Sequence, residues 1–427
     1  MAHGFVQVVR RDRTPFERFF WILVIVAACV PCILFAGVAW THFWHHPTVI
    51  TLERDHWNWV TAFPSITACP VSFKMDTLAE IAENKTVPTA KLELFSEFLQ
   101  DLFYGNYSTY GNLEKYKEDF DDIPPEMYID LNYQLCYLGD TEQEFISFDR
   151  NMTKIMTEYG FCYNYNSEIA PYFSYEYWKH NHLHKLPTAR IDYITPALES
   201  PMFKLNSIDA NVMFFMHGKN ELIDLMSKRF LVEGMKFTVL EVNSQSTWSP
   251  KSMRNLHISQ RHCRFIDESN LKYSPVYSTK LCKIECRIEM ALRLCKCLPF
   301  YYRNLHGSKI CGIDGMMCLS QHDDQMIRLR DGDGNNLCQC EPNCNEDIVT
   351  VLAGDSKDWI FGCVAQIIYI FNIPVRYRRS IIYSLTDLLV QIGGITGLCF
   401  GLSVLSVMEV IYFLTLRFYW AVIRDRS

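Results

Sequence analysis

The chain has 427 residues, 49% of them hydrophobic and 21% charged, which excludes a disordered or fibrous protein and leaves room for a sizeable core. A net charge of −7 offers no basic excess for neutralising phosphates, so nucleic acid is not an expected partner. Mean hydropathy of −0.03 conceals a segregation: two long apolar runs lie near the ends, and the sequence between them is polar and mixed.

The first run, Phe19 to Trp40, holds 22 residues without a charge. About 20 suffice to cross the hydrocarbon core of a bilayer. A signal peptide would have a shorter apolar region, about 7–15 residues, followed by a small-residue cleavage site. Here the run closes on Trp40, Phe43 and Trp44, an interfacial aromatic belt. The sequence therefore predicts a membrane-spanning helix over 19–43, with Pro31 a candidate kink, after a cytoplasmic segment 1–18.

Residues 44–384 read as extracellular. Asn84, Asn106 and Asn151 each head an Asn-x-Ser/Thr glycosylation sequon in this stretch. Of 17 cysteines, 14 fall between the apolar runs, and only Cys29, Cys32 and Cys399 lie within them; an even number fits an oxidised framework. In chain order, the apolar spacing of Leu92, Leu94, Phe95, Phe98, Leu99, Leu102 and Phe103 predicts an amphipathic helix ending near Gly105. His180, His182 and His184 alternate and would share one face of a strand, where they could hold a metal or sense pH; a solvated loop is the commoner outcome. Lys236 to Val242 reads as a strand, and Trp359 to Phe371 as a second, buried one. With no repeat and no flexible linker, the segment is expected to form one compact α+β unit.

The cysteines crowd into Cys263 to Cys344, with spacings unlike those of structural zinc sites, so disulfides are favoured over metal. If residues 278–286 are helical, Cys282 and Cys286 share a face about 6 Å apart along the axis. Two residues of extended chain span nearly the same distance, so Cys338 and Cys340 could form two rungs against that helix; spacing alone leaves the connectivity open. Asp331 to Asn335 hints at a calcium loop, but no EF-hand glutamate follows, and a plain turn is expected. No resident metal or cofactor is expected, and no Ser/His/Asp elbow, phosphate loop or HExxH motif supports an enzyme.

The second run, Leu388 to Leu416, is 29 residues long, more than one straight crossing needs, and is expected to tilt, bend or break. Basic residues Arg10, Arg11, Arg13 and Arg18 precede the first run and Arg417, Arg424 and Arg426 follow the second, which places both termini in the cytoplasm. The expected layout is thus a second span over 385–416 and a cytoplasmic end at 417–427. Gly393, Gly397 and Gly401 stand four apart, on one helical face that allows close approach of backbones, and Glu409 falls on the same face. Simple packing of two helices would explain the glycines alone. An acid with no basic residue in its span, together with Ser403, points further, to a water-filled path that favours cations. One helix cannot enclose such a path, so several copies with cyclic symmetry are expected.

These residues resemble the epithelial sodium channel/degenerin family, and most of all its insect pickpocket branch, over nearly the whole chain. The stretch from Gly393-Gly394 through Glu409 resembles the family's second-span signature, with Gly401-Leu402-Ser403 at the selectivity filter and Glu409 at the acidic position. His3-Gly4, 18 residues ahead of Trp21, resembles the cytoplasmic gating motif, in a tail that is short or a chain that starts late. Phe63 to Cys69 resembles the FPxhTxC stretch after the first span, and Cys295 to Tyr302 the pickpocket thumb. The resemblance implies disulfides Cys69–Cys162, Cys263–Cys344, Cys282–Cys340, Cys286–Cys338, Cys295–Cys318 and Cys297–Cys311. Cys136 and Cys363 are left over, to pair with each other, pair with another subunit or stay free. It also implies a finger, thumb, palm and knuckle arrangement around a β core, and a homo- or heterotrimer in the plasma membrane. The current implied is sodium-selective, amiloride-sensitive and voltage-independent, with a sensory role. Bulky Val390, where the family has a small gate residue, and Gln391 beside it imply altered gating. The rival expectations are an ATP-gated type of trimeric two-span channel, for which no basic phosphate cluster stands out, and a non-conducting receptor or auxiliary subunit.

Overall fold

The structure is a computed structural model that describes Val8 and residues 13–417, apart from 55–58, 72, 74, 85–90, 139–142, 146–151, 180–188, 196–200, 208–210, 372–375 and 402. His3, Gly4, Asn151, the three alternating histidines and Leu402 lie outside the described residues. The chain divides into two compact units, one of residues 1–51, 250–261 and 379–427 and the other of residues 52–249 and 262–378.

In the first unit, helix α1 (Pro15–His45) starts on a reciprocal cap between Thr14 and Glu17 and runs through Pro31 to His45. Its mean hydropathy peaks at 2.8 over an 18-residue window, and it is long and apolar enough to cross a membrane. Segment 250–261 groups with this unit. The Gln260 side-chain amide donates to the Phe43 carbonyl at 3.4 Å, at the end of α1.

The second unit contains α2 (Met75–Asn84), α3 (Leu92–Phe103), α4 (Tyr128–Leu135), α5 (Thr279–Leu294), α6 (Ile313–Ser320) and α7 (Asp323–Arg328). Helix α3 buries Phe95, Phe98, Leu99, Leu102 and Phe103, the stripe that its spacing predicts. Its described strands form two larger sheets and a short antiparallel pair, Thr61–Ala62 with Tyr193–Ile194. The smaller has five strands: β1 (Ser65–Pro70) at the centre, β3 (Thr153–Thr157) and β4 (Gly160–Tyr165) on one side, and β6 (Val212–His217) and β7 (Arg229–Val232) on the other, all neighbours antiparallel. The larger is built on β8 (Lys236–Trp248), which pairs antiparallel with β9 (Glu346–Asp358) and parallel with β10 (Cys363–Tyr369); β10 pairs with β5 (Met202–Ser207), which pairs with β2 (Gln143–Phe145). Residues 359–361, expected to open a buried strand, instead turn the chain from β9 to β10, with Ile360 79% and Phe361 70% exposed. Apolar run length could not reveal this, because the connection carries the chain past the start of β8, from its antiparallel neighbour β9 to its parallel neighbour β10, and Trp359 packs there on Phe237 at 5.8 Å.

The core of the helical region is strongly aromatic. Phe95, Phe98, Phe103, Tyr107, Tyr110, Tyr116, Phe120, Tyr128 and Phe300 are all buried and meet mostly edge to face or stacked at 5.2–6.5 Å, geometries that suit the ring quadrupole.

Candidate functional site

In the first unit, Ser384 caps helix α8 (Leu385–Phe400): its hydroxyl accepts from the Asp387 N–H, and the Asp387 carboxylate accepts from the Ser384 N–H at 2.9 Å. Leu388 buries against Ala39 and Phe43 of α1, with Ile392 alongside. Just before α8, Pro47 accepts from the N–H groups of Ile382 and Tyr383 at 2.8 and 3.2 Å, and the Tyr383 ring stacks on His42 at 5.8 Å. The start of α8 is therefore fixed to the end of α1 by apolar contact, backbone hydrogen bonds and a ring stack.

Helix α8 stops at Gly401, whose φ of 63° and ψ of 26° lie in the left-handed region that favours glycine. Its N–H donates to the Gly397 carbonyl at 2.8 Å. After Ser403 a new helix, α9 (Val404–Tyr412), begins, followed by a π-helical turn at Phe413–Arg417. The long apolar run is thus two helices with a break, and α8, with 16 residues, is about 24 Å long, short of a full bilayer core.

The break exposes Gly401 and Ser403, and Glu409 is exposed on α9. Gly393 and Gly394 are exposed as well, and a methyl group placed on either would meet no atom within 4 Å. Val390 is 75% exposed, and Gln391 beside it is also exposed. Val390, Gln391, Gly393, Gly394, Gly401, Ser403 and Glu409 thus lie on open surface, and Gly397 is half-buried. A helix end contributes carbonyl oxygens without intrahelical partners and the negative end of the helix dipole, a suitable environment for a cation.

The second unit brings six pairs of cysteines together: Cys69–Cys162 at a Cα separation of 4.3 Å, Cys263–Cys344 at 5.0 Å, Cys282–Cys340 at 5.8 Å, Cys286–Cys338 at 6.3 Å, Cys295–Cys318 at 5.9 Å and Cys297–Cys311 at 4.9 Å. Cys136 and Cys363 are both buried and free. They cannot pair, because they belong to different cores: the Cys136 thiol donates to the Phe161 carbonyl in the helical core, while Cys363 sits on β10 in the core of the larger sheet. Burial pushes both thiols up, Cys136 to about 12 and Cys363 to about 11, which keeps them protonated and unreactive.

The turn at residues 331–335 is closed by its own Asp331 side chain, which accepts from the N–H groups of Asp333 and Asn335 at 3.0 and 2.8 Å. Among the described residues no group of three or more His, Cys, Asp or Glu side chains is placed to hold a metal. Asn106 lies at the surface; its side-chain oxygen accepts from the Ser108 N–H at 3.0 Å. Asn84 is the last residue of α2.

Two features escape sequence reading. Arg287 on α5 is fully buried and donates to both oxygens of Glu158 at 3.1 and 3.0 Å and to the Met326 carbonyl at 3.0 Å, with Asp224 at 3.5 Å. Burial pushes the Glu158 carboxyl up while Arg287 pulls it down, and Tyr302 donates a short hydrogen bond to the same group. Nothing marks Arg287 in sequence, since one arginine in an amphipathic helix normally faces water. The second feature is Gly315 on α6. A Cβ there would lie 2.6 Å from the Cys297 sulfur and 2.9 Å from the Cys311 Cβ, so only glycine lets α6 lie against that disulfide.

Residues 1–413 match the family described as amiloride-sensitive sodium channel. Pickpocket protein 28 of Drosophila melanogaster is 23% identical over 486 aligned residues, covering 98% of this chain and 77% of that protein. Pickpocket protein 19 of the same species is 23% identical over 470 residues, covering 99% and 90%. Sodium channel protein Nach of that species is 20% identical over 472 residues, covering 96% and 84%. A cryo-EM structure of a proton-activated chloride channel superposes with a TM-score of 0.32 at 5% identity over 96% of this chain and 99% of that one, too loosely to bear on fold or function. With a family match spanning all but the last few residues, the chain belongs to the amiloride-sensitive sodium channel family, a family of membrane channels rather than enzymes.

Proposed function

We propose that the chain is a conducting subunit of a sodium-permeable channel in the plasma membrane, with α1 and the broken α8–α9 segment as its two spans and both ends in the cytoplasm. Carrying this reading is the helix break at Gly401, where left-handed backbone ends α8 and opens Ser403 and the terminal carbonyls to the surroundings. Three copies of such a helix would enclose a path lined by carbonyl and hydroxyl oxygens at Gly401-Leu402-Ser403, with Glu409 adding negative charge. The open strip at Gly393 and Gly394 leaves room for neighbouring copies to approach. His3-Gly4 and Val390-Gln391 would act in gating, and amiloride block, voltage independence and a sensory role in an insect complete the reading.

The test is current recorded from the chain alone and with related subunits, in sodium and then in a large impermeant cation. Sodium current blocked by amiloride is expected. Absence of current in every combination, with the protein demonstrated at the cell surface, overturns the conducting role. Ser403→Leu is expected to change the sodium-to-potassium permeability ratio, and an unchanged ratio removes the filter from this position.

A further inference from the structure

We infer that the second unit carries a binding pocket for a small organic ammonium ion with an aromatic or aliphatic body, framed by helix α5 on one side and by the end of β3 and the turn at Ala170–Phe173 on the other. The void and its open mouth together take up about 620 Å³, and most of the lining side chains are apolar or aromatic. Ile284 and Ile288 line it from α5, and Tyr172, Phe173 and Trp178 from the opposite wall. The indole N–H of Trp178 is committed to the Tyr172 carbonyl at 3.1 Å, which fixes the ring as a wall. Aromatic faces attract cations, most strongly where water is excluded.

Charge inside the pocket is unevenly committed. At its floor, Glu158 is consumed by Arg287 and Tyr302. Glu285, on the α5 wall, accepts from the backbone N–H groups of Lys272 and Tyr273 at 2.8 and 3.0 Å. Both bonds land on one oxygen, Oε2, so the carboxylate is held in position with its second oxygen uncommitted among the described residues. Burial of this half-buried carboxyl raises its pKa, an energetic deficit that an arriving cation would relieve. Arg303 also lines the pocket, but its guanidinium stacks over the Tyr177 ring at 5.1 Å. An apolar cavity with aromatic walls and one positioned carboxylate is complementary to an amine and poorly suited to an anion. This site is independent of whether the chain conducts sodium, and its test reads binding alone.

Full-length channel in lipid nanodiscs is titrated with tryptamine, 3-ethylindole or indole-3-propionate while thermal unfolding is followed. Ligands that bind only the folded state raise the midpoint in a saturable way. Tryptamine is expected to do so, with the neutral analogue weaker and the carboxylate weakest. Glu285→Gln, which keeps an oxygen for the two backbone donors, is expected to weaken tryptamine about tenfold, a charge-pair loss of ordinary size. Ile284→Trp, which fills the cavity, is expected to abolish the effect. The unliganded midpoints of both variants report folding separately, and the wild-type ranking of the three probes needs no variant. Equal response to all three probes, no saturable response to tryptamine, or tryptamine binding unchanged by Glu285→Gln overturns the proposal.

Discussion

The helical core of the second unit and the α8–α9 segment of the first solve opposite problems with similar residue types. In the former, apolar and charged groups alike are enclosed: the aromatic rings meet one another, Arg287 meets Glu158, and disulfides join helix to loop. In the latter, Leu389 is 62%, Leu398 89% and Leu405 76% exposed, and the glycine strip faces open space. Such exposure is stable only against lipid or other copies. One region is complete within a single chain, and the other becomes complete through what surrounds it. Substitutions in the two regions should therefore separate cleanly: those in the first should move stability, and those in the second should move assembly and current.

The largest effect is expected at Arg287. Arg287→Ala leaves Glu158 and Asp224 buried without their cation, and removing one partner of a buried pair costs about 3–5 kcal/mol. Near-total loss of surface protein is expected by biotinylation, and partial rescue by adding Glu158→Gln would tie the loss to the buried charge. Normal surface levels for Arg287→Ala would break the contrast between the regions.

Next is the joint substitution of Cys69 and Cys162 by serine. That disulfide closes a loop across a sequence separation of 93, and losing a native one typically costs about 2–5 kcal/mol. A lower unfolding midpoint is expected in a reducing-agent-free thermal scan, with the five other disulfides intact by mass spectrometry.

A smaller, pH-dependent effect belongs to His217. Burial, with Lys280 nearby, pushes its imidazole down to about 3, and its Nε2 pairs with the Thr67 hydroxyl at 2.8 Å while Nδ1 pairs with the Gly218 carbonyl at 2.9 Å. Ser65 and Asn164 complete this buried polar group. In the unfolded chain the same histidine takes up a proton near pH 6.5. Between those values the unfolded state binds more protons, so the stabilisation is complete above about 6.5 and is lost as pH falls toward 3. His217→Gln should flatten the acid limb of a stability-versus-pH curve, and an unchanged limb would assign acid sensitivity elsewhere.

The smallest stability effect is expected at Gly401. An L-residue in the left-handed region costs about 1 kcal/mol, so Gly401→Ala should leave the unfolding midpoint of the second unit nearly in place. Its current, by contrast, is expected to change in conductance or selectivity. A large loss of stability with unaltered current would reverse the proposed division of labour.

Much of the architecture was legible from residue pattern. Helix α3 follows from its spaced aromatic and leucine residues, and α1 from an uninterrupted apolar run that no soluble segment of this chain imitates. The excess length of the second run announced a bend or break, and glycine at 401 was the residue able to take the left-handed turn. The pairing of Cys282 with Cys340 and Cys286 with Cys338 matches the rung spacing on α5, yet spacing alone left the partners open. Other features could be decided only in three dimensions, because they depend on residues far apart in the chain. Arg287 and Glu158 are 129 positions apart, and nothing local tells a buried arginine from a solvated one. The fates of Cys136 and Cys363 depended on which core each entered, the exposure of Ile360 and Phe361 on where the chain crossed from β9 to β10, and the open carboxylate of Glu285 on a neighbouring loop. Local chemistry fixes periodicity, span length and backbone handedness, since these act within a few residues; enclosure and charge pairing are properties of the packed chain.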